Sequence, residues 1–163
     1  KIIKTSKKNI TEISKSIGSD VILGLNFTNS ILTSTDKIKL FRKCKIFHAL
    51  IIKPNFGCST KQIYSNVKKF NKPKIKQPLK RMFDLNYLKK MDNSLEQIAL
   101  LKYPKLRLIK LYLESLSNPV FVRMTGSGSA LVAYFQSKER CLSAKKMFNK
   151  KYKNYWCIAS KNI

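Results

Sequence analysis

The chain has 163 residues, enough for one domain or slightly more, and its 44% hydrophobic content is sufficient for a buried core. Lysine and arginine number 34 against 8 acidic residues, so the formal net charge is +26 and non-specific attraction to polyanions is expected. Membrane spans of about 18 apolar residues, a signal peptide and the cysteine spacing of a zinc site are all missing from the sequence. We therefore expect a cytoplasmic protein with reduced thiols and no bound metal.

The first quarter of the chain combines a helix with short strands. Isoleucines three and four residues apart predict a helix over residues 7–17 that ends at Gly18, a residue type common just past helix ends. Short strands are predicted next, around residues 31–32 and over residues 38–41.

A strand followed by a capped helix is predicted in the middle of the chain. The apolar run 46–53 predicts the strand, and the turn 54–57 ends it. Ser59 or Thr60 then caps a helix. The expected buried face of that helix carries Ile63, Val67 and Phe70.

The remaining elements complete an α+β fold. Helices are predicted over residues 79–90, after a cap at 92–94, from Pro104 onward and over 137–149. Strands are predicted over residues 120–124, 130–135 and 155–160. From residue 46 the order is β-α-β-β-α-β with extra helices in the first crossover, which is the ferredoxin-like, split βαβ arrangement.

Asp20 is a candidate catalytic carboxylate. It stands just past the end of the first helix and before apolar residues, so its position is restrained and it could orient or deprotonate a hydroxyl nucleophile. The alternative is a turn aspartate that bonds to neighbouring backbone N–H groups.

The segment 54–64 is a candidate binding site. Ser59 and Thr60 lie in the first turn of the predicted helix, where an anion can bind, and Tyr64 lies one turn further on, where it could stack on a base. The alternative for Tyr64 is a core position beside Ile63. His48, inside an apolar strand, is interpreted as a packed strand residue because no triad partner is visible.

The stretch 123–130, RMTGSGSA, joins two apolar strands through a glycine-rich turn. Glycines there can adopt positive φ, and the turn then presents several N–H groups and hydroxyls to one point, which suits a phosphate. The alternative is an ordinary hairpin turn.

Four segments, taken together and in this order, resemble the C-terminal half of the GHMP kinases. Among these they are most similar to the kinases of the non-mevalonate isoprenoid pathway that act on 4-diphosphocytidyl-2-C-methyl-D-erythritol. The segments are IGSDV (17–21), KPNFGCSTKQIY (53–64), DNSLE (92–96) and RMTGSGSA (123–130). The resemblance implies a ferredoxin-like C-terminal domain over residues 45–163 and a remnant of the N-terminal, ATP-binding domain over residues 1–44.

The resemblance also implies roles for individual residues in phosphoryl transfer from ATP, bound as its Mg²⁺ complex, to the 2-hydroxyl of the cytidine substrate. Asp20 corresponds to the catalytic aspartate that activates this hydroxyl. Thr60 corresponds to a position near the substrate, and Tyr64 to an aromatic side chain that packs on the cytosine. The loop beside the ATP phosphates corresponds to Gly126, Ser127, Gly128 and Ser129.

Two family motifs, the one with the catalytic lysine and the long Gly/Ser-rich ATP loop, are not in this sequence. We therefore expect a fragment that is inactive without the N-terminal half. The apolar side chains of residues 1–44 would then lack partners, so we expect this segment to be disordered, domain-swapped or buried in a dimer. The side chains concerned are Ile10, Ile13, Val21, Leu23 and Leu25.

Two other functions stay open at this point. One is another GHMP kinase, such as a homoserine or mevalonate-type enzyme. The other is a basic α+β module that binds nucleic acid, favoured by the +26 charge. Against the second, the glycine loop is not the GxxG of KH domains and no strand carries the aromatic pattern of RRM proteins.

Overall fold

A computed structural model describes residues 6–18, 21–26, 28–33, 38–68, 75 and 77–162. The chain divides into two compact units. The described residues of 1–44 and 73–80 form the first unit, and those of 45–72 and 81–162 form the second.

The first unit contains a helix and a pair of short strands. Helix α1, Lys7–Ile17, begins after Ser6, whose hydroxyl accepts a hydrogen bond from the Asn9 amide at 3.2 Å. Strands β1, Asn29–Leu32, and β2, Ile38–Phe41, pair antiparallel. The helix and both strands confirm the sequence-based predictions for this region.

Apolar side chains of the first unit are exposed. Ile13 and Ile17 on α1 are 55% and 69% exposed, and Leu40 on β2 is 48% exposed. The elements α1, β1 and β2 have regular structure, so the expectation of disorder does not hold for them. Domain swapping and burial in a dimer stay predictions.

The second unit is built on a four-stranded antiparallel sheet. Its strands are β3, His48–Lys53; β4, Phe121–Met124; β5, Leu131–Phe135; and β6, Trp156–Lys161. The spatial order is β4-β5-β3-β6, so β3 pairs with both β5 and β6 while β4 is an edge strand. This order confirms the ferredoxin-like, split βαβ prediction.

Among the described residues of this unit, the α-helices are α2, Thr60–Ser65; α3, Leu85–Lys89; α4, Glu96–Lys102; α5, Pro104–Glu114; and α6, Lys138–Lys151. The core lies between the helices and one face of the sheet. Helix α5 contributes Leu106, Ile109 and Leu113, and α6 contributes Cys141, Ala144 and Phe148. Each large apolar side chain buried in this way contributes about 1.5–3 kcal/mol.

The prediction of one continuous helix over residues 79–90 is wrong, because the structure interrupts the helix at Asp84. A 3₁₀ turn over Lys80–Phe83 comes first, and Asp84 then adopts an extended backbone and caps α3. Its carboxylate accepts a hydrogen bond from the Asn86 amide at 2.8 Å and pairs with Lys45 at 3.0 Å. The capping preference of aspartate thus overrides the apolar periodicity.

Helix α2 is also shorter than the sequence predicts. It ends at Ser65, so Ile63 is buried within it as expected while Val67 follows the helix and is half-buried. Phe70 lies outside the described residues. Over the part of the chain that the structure describes, every helix is too short or too polar to cross a membrane.

Candidate functional site

The glycine loop between β4 and β5 is a tight turn. The Thr125 amide donates to the Ala130 carbonyl at 3.0 Å, and the Gly128 amide donates to the Thr125 carbonyl at 3.1 Å. Gly126 and Gly128 have φ of +56° and +89°, in the left-handed region that favours glycine. The loop therefore has the conformation expected from its sequence.

Gly128 packs closely against the segment that follows β3. A methyl group on its Cα would lie 2.8 Å from Met124 Sδ and 3.2 Å from Cys58 Sγ. Burial raises the pKa of the Cys58 thiol, with Lys53 opposing the shift, so this thiol is protonated at neutral pH and acts as a packing group.

Ser129 fastens the other side of the loop. It is fully buried, and its hydroxyl donates to the Phe56 carbonyl at 2.5 Å. Lys53 Nζ donates to the same hydroxyl at 3.1 Å and to the carbonyls of Pro54 and Phe56 at 3.1 and 3.0 Å. The end of β3, the turn after it and the glycine loop are thus held together by one cluster of hydrogen bonds.

Thr60 and Ser127 bring the two predicted binding segments into contact. Their hydroxyl oxygens are 2.8 Å apart, although the residues are 67 positions apart in sequence. Thr60 opens α2, which is capped by the Ser59 hydroxyl through the Gln62 amide at 3.4 Å. Both hydroxyls lie at the surface of the second unit, where a ligand can reach them.

Tyr64 stands one helical turn after Thr60 on α2 and is 50% exposed. The alternative interpretation of Tyr64 as a core residue is therefore wrong. Its exposed ring is available for stacking, which stays a prediction.

Two residues of the DNSLE segment hold the glycine loop from its outer side. Asn93 Nδ2 donates to the carbonyls of Met124 and Gly126 at 3.0 and 2.8 Å. Glu96 Oε2 accepts from the Met124 amide at 2.6 Å. From the sequence, this segment has a helix cap and a place in the family resemblance but no predicted contact with the loop, because nothing in its spacing indicates the distant backbone that it contacts.

Two further residues considered in the sequence analysis, Asp20 and His48, are not found beside the glycine loop among the described residues. Asp20 lies outside the described residues. His48 begins β3 and Lys53 ends it, so His48 is about 16 Å from the glycine-loop end of the strand at the usual rise of a strand. The structure thus separates His48 from the loop, as expected for a strand residue.

The described residues contain no cluster of three or more His, Cys, Asp or Glu side chains that could hold a metal ion. The carboxylate of Glu96 accepts a hydrogen bond from the Met124 amide and lies 3.6 Å from Lys110 Nζ.

Comparison with known proteins identifies similar sequences along the whole chain. Over 163 residues it is 52% identical to the 4-diphosphocytidyl-2-C-methyl-D-erythritol kinase of Pelagibacter ubique (strain HTCC1062), covering 100% of this chain and 58% of that protein. Kinases of the same name from Persephonella marina and Syntrophomonas wolfei are 33% and 26% identical, and the matches cover 79% and 94% of this chain and 48% and 56% of those proteins. The chain spans about half the length of the curated relatives that it matches.

Solved structures share the fold. A crystal structure of 4-(cytidine 5'-diphospho)-2C-methyl-D-erythritol kinase matches with a TM-score of 0.69 at 18% identity, over 92% of this chain and 56% of that one. Homoserine kinase from Cytophaga hutchinsonii matches with a TM-score of 0.63 at 16% identity, over 98% of this chain and 58% of that one. No protein-family model matches the chain. Along its whole length the chain is thus similar in sequence to 4-diphosphocytidyl-2-C-methyl-D-erythritol kinases, and it shares its fold with a kinase of this kind and with homoserine kinase.

Proposed function

We propose that the chain serves an ATP-dependent kinase that phosphorylates the 2-hydroxyl of 4-diphosphocytidyl-2-C-methyl-D-erythritol in the cytoplasm. The observation that carries this proposal is the 2.8 Å contact between Thr60 and Ser127, because it joins the predicted substrate segment to the predicted phosphate loop. The 52% identity to a kinase of that name favours this substrate over homoserine or mevalonate.

The glycine loop has the features that an ATP phosphate requires. Among the described residues, none accepts a hydrogen bond from the amides of Gly126 and Ser127, and both residues reach the surface. Backbone amides in a turn of positive φ attract anions. We propose that Gly126, Ser127 and Gly128 contact the phosphates through the backbone and that Ser129, whose hydroxyl is engaged by Phe56, holds the loop.

The acceptor side of the reaction involves α2 and Asp20. Thr60 contacts the substrate beside the transferred phosphate, and the exposed ring of Tyr64 stacks on the cytosine. Asp20 accepts the proton as the substrate hydroxyl attacks the γ-phosphorus, the bond from phosphorus to the ADP oxygen breaks, and ADP leaves with Mg²⁺. Catalysis of this kind depends mainly on positioning and on neutralisation of charge.

We also propose the domain assignment. Residues 45–163 form the C-terminal domain, and residues 1–44 belong with the ATP-binding domain of the kinase, so the fragment by itself is inactive. The exposed apolar side chains of α1 support this assignment, because such side chains are normally covered. The partner that covers them is the N-terminal half of the kinase or a second copy in a dimer.

The test is a phosphoryl-transfer assay on the protein expressed from its complete open reading frame, with ATP, Mg²⁺ and the cytidine substrate. Asp20→Asn should lower kcat by about a thousandfold, since it removes a general base with a positioning role. Asp36→Asn makes the same charge change nearby in sequence and should leave kcat within about twofold of the parent protein. Equal activity of Asp20→Asn and the parent would refute the assignment of Asp20.

A further inference from the structure

Strand β4 ends beside the glycine loop, and side chains form hydrogen bonds with the backbone groups on its outer edge. Within the described part of the chain, β4 pairs with β5 and with no other strand, and Met124 stands opposite Leu131. An edge strand leaves backbone groups without a strand partner. At Met124 the carbonyl accepts from Asn93 and the amide donates to Glu96, so these two side chains occupy the place of a further strand.

Asn93 reaches one step further, into the loop itself. Its amide group also donates to the Gly126 carbonyl at 2.8 Å, while its own oxygen accepts from the Leu95 amide at 3.0 Å. The Asn93 side chain is therefore fixed on both sides. Its oxygen contacts the Leu95 amide just before α4, and its Nδ2 group contacts the Met124 and Gly126 carbonyls. A side chain held in this way restrains the backbone that it contacts.

The bond to the Gly126 carbonyl sets the direction of a second group. The Gly126 carbonyl and the Ser127 amide belong to one planar peptide unit, in which C=O and N–H point in opposite directions. With the carbonyl turned toward Asn93, the Ser127 N–H points away from it. That amide has no acceptor among the described residues, and the Ser127 hydroxyl lies against Thr60.

We propose that Asn93 is a positioning residue that aims the Ser127 N–H at the phosphate of the bound nucleotide. This inference rests on the proposed function, because it takes the glycine loop as the phosphate site. Asn93 does not touch the nucleotide; it acts through the peptide unit between Gly126 and Ser127. Glu96 supports it by holding the Met124 amide, and Lys110 lies 3.6 Å from the carboxylate of Glu96.

Asn93→Asp separates this role from general packing. Aspartate keeps the size of the side chain and the acceptor for the Leu95 amide, but it removes both donors and places a carboxylate oxygen against two carbonyl oxygens. In the protein from the complete open reading frame, KM for ATP should rise about tenfold, with KM for the cytidine substrate unchanged. Asn86→Asp, an exposed position at the start of α3, makes the same chemical change and should leave both constants unchanged.

A direct readout is the backbone amide signal of Ser127 by NMR with inorganic pyrophosphate as the probe. The signal should shift on addition of pyrophosphate to the parent protein and to Asn86→Asp, and should stay unshifted in Asn93→Asp. If the parent protein transfers no phosphate, the proposed function is refuted. A pyrophosphate shift that is present in that parent protein and missing in Asn93→Asp would still support the positioning of the Ser127 N–H by Asn93. An unchanged KM for ATP, an equal rise of both KM values, or a shift that survives in Asn93→Asp refutes the inference.

Discussion

At the residue scale, the candidate site depends on side chains and glycines that hold a single loop. Gly128 allows the loop to lie against Met124 and Cys58, and the buried Ser129 ties it to Phe56. Lys53 donates three hydrogen bonds to the same cluster. Removing one of these groups should loosen the loop while leaving the sheet intact.

Gly128→Ala should destabilise the protein by about 1–3 kcal/mol, because the new methyl group would meet two sulfur atoms and φ is +89°. Gly57→Ala is the matched control: no atom lies within 4 Å of a methyl group there, and φ is outside the left-handed region. Urea unfolding followed by circular dichroism measures both. Equal stability of the two variants would contradict the described packing of the loop.

At the scale of elements, the site is the meeting point of the β4–β5 turn, the start of α2 and the segment before α4. The strands and helices that carry these pieces could be predicted, because apolar runs such as 46–53 are bounded by turn residues. The interruption at Asp84 could not be predicted, since the apolar spacing continues across this residue. Only the capping of α3 by the Asp84 side chain in the structure reveals the break. The contact of Thr60 with Ser127 and that of Asn93 with the Gly126 carbonyl could not be predicted either, because no local pattern indicates a contact across tens of residues.

The Thr60–Ser127 contact can be measured by a double-mutant cycle. Thr60→Val and Ser127→Ala should each cost about 0.5–1 kcal/mol, and the double variant should cost little more than one of them, because both remove the same hydrogen bond. Ser143→Ala on α6 serves as the control partner, and its cost should add to that of Thr60→Val. Full additivity of Thr60→Val and Ser127→Ala would show that the two hydroxyls do not interact.

At the scale of the whole molecule, the +26 charge favours a nucleic-acid-binding function, whereas the sequence similarity to kinases along the whole chain supports the kinase proposal. The fold class could be predicted from the order of strands and helices after residue 46, and the resemblance to kinases came from four short segments. Asp20 lies outside the described residues, so its role rests on the resemblance alone.

The charge has its own expected consequence. The protein should bind mixed-sequence duplex DNA weakly at about 50 mM salt and lose that binding by about 200 mM, since only counterion release drives it. Fluorescence anisotropy of a labelled duplex measures the salt dependence. Tight binding that persists at the higher salt concentration would favour the nucleic-acid-binding alternative over the kinase.

The most direct test of the central claim is a substrate panel with the protein from the complete open reading frame. ATP and Mg²⁺ would be supplied with 4-diphosphocytidyl-2-C-methyl-D-erythritol, homoserine or mevalonate, and the products identified by mass spectrometry and ³¹P NMR. We predict that only the cytidine compound gains a phosphoryl group, at its 2-hydroxyl. Phosphorylation of homoserine or mevalonate instead, or of none of the three, would contradict the account.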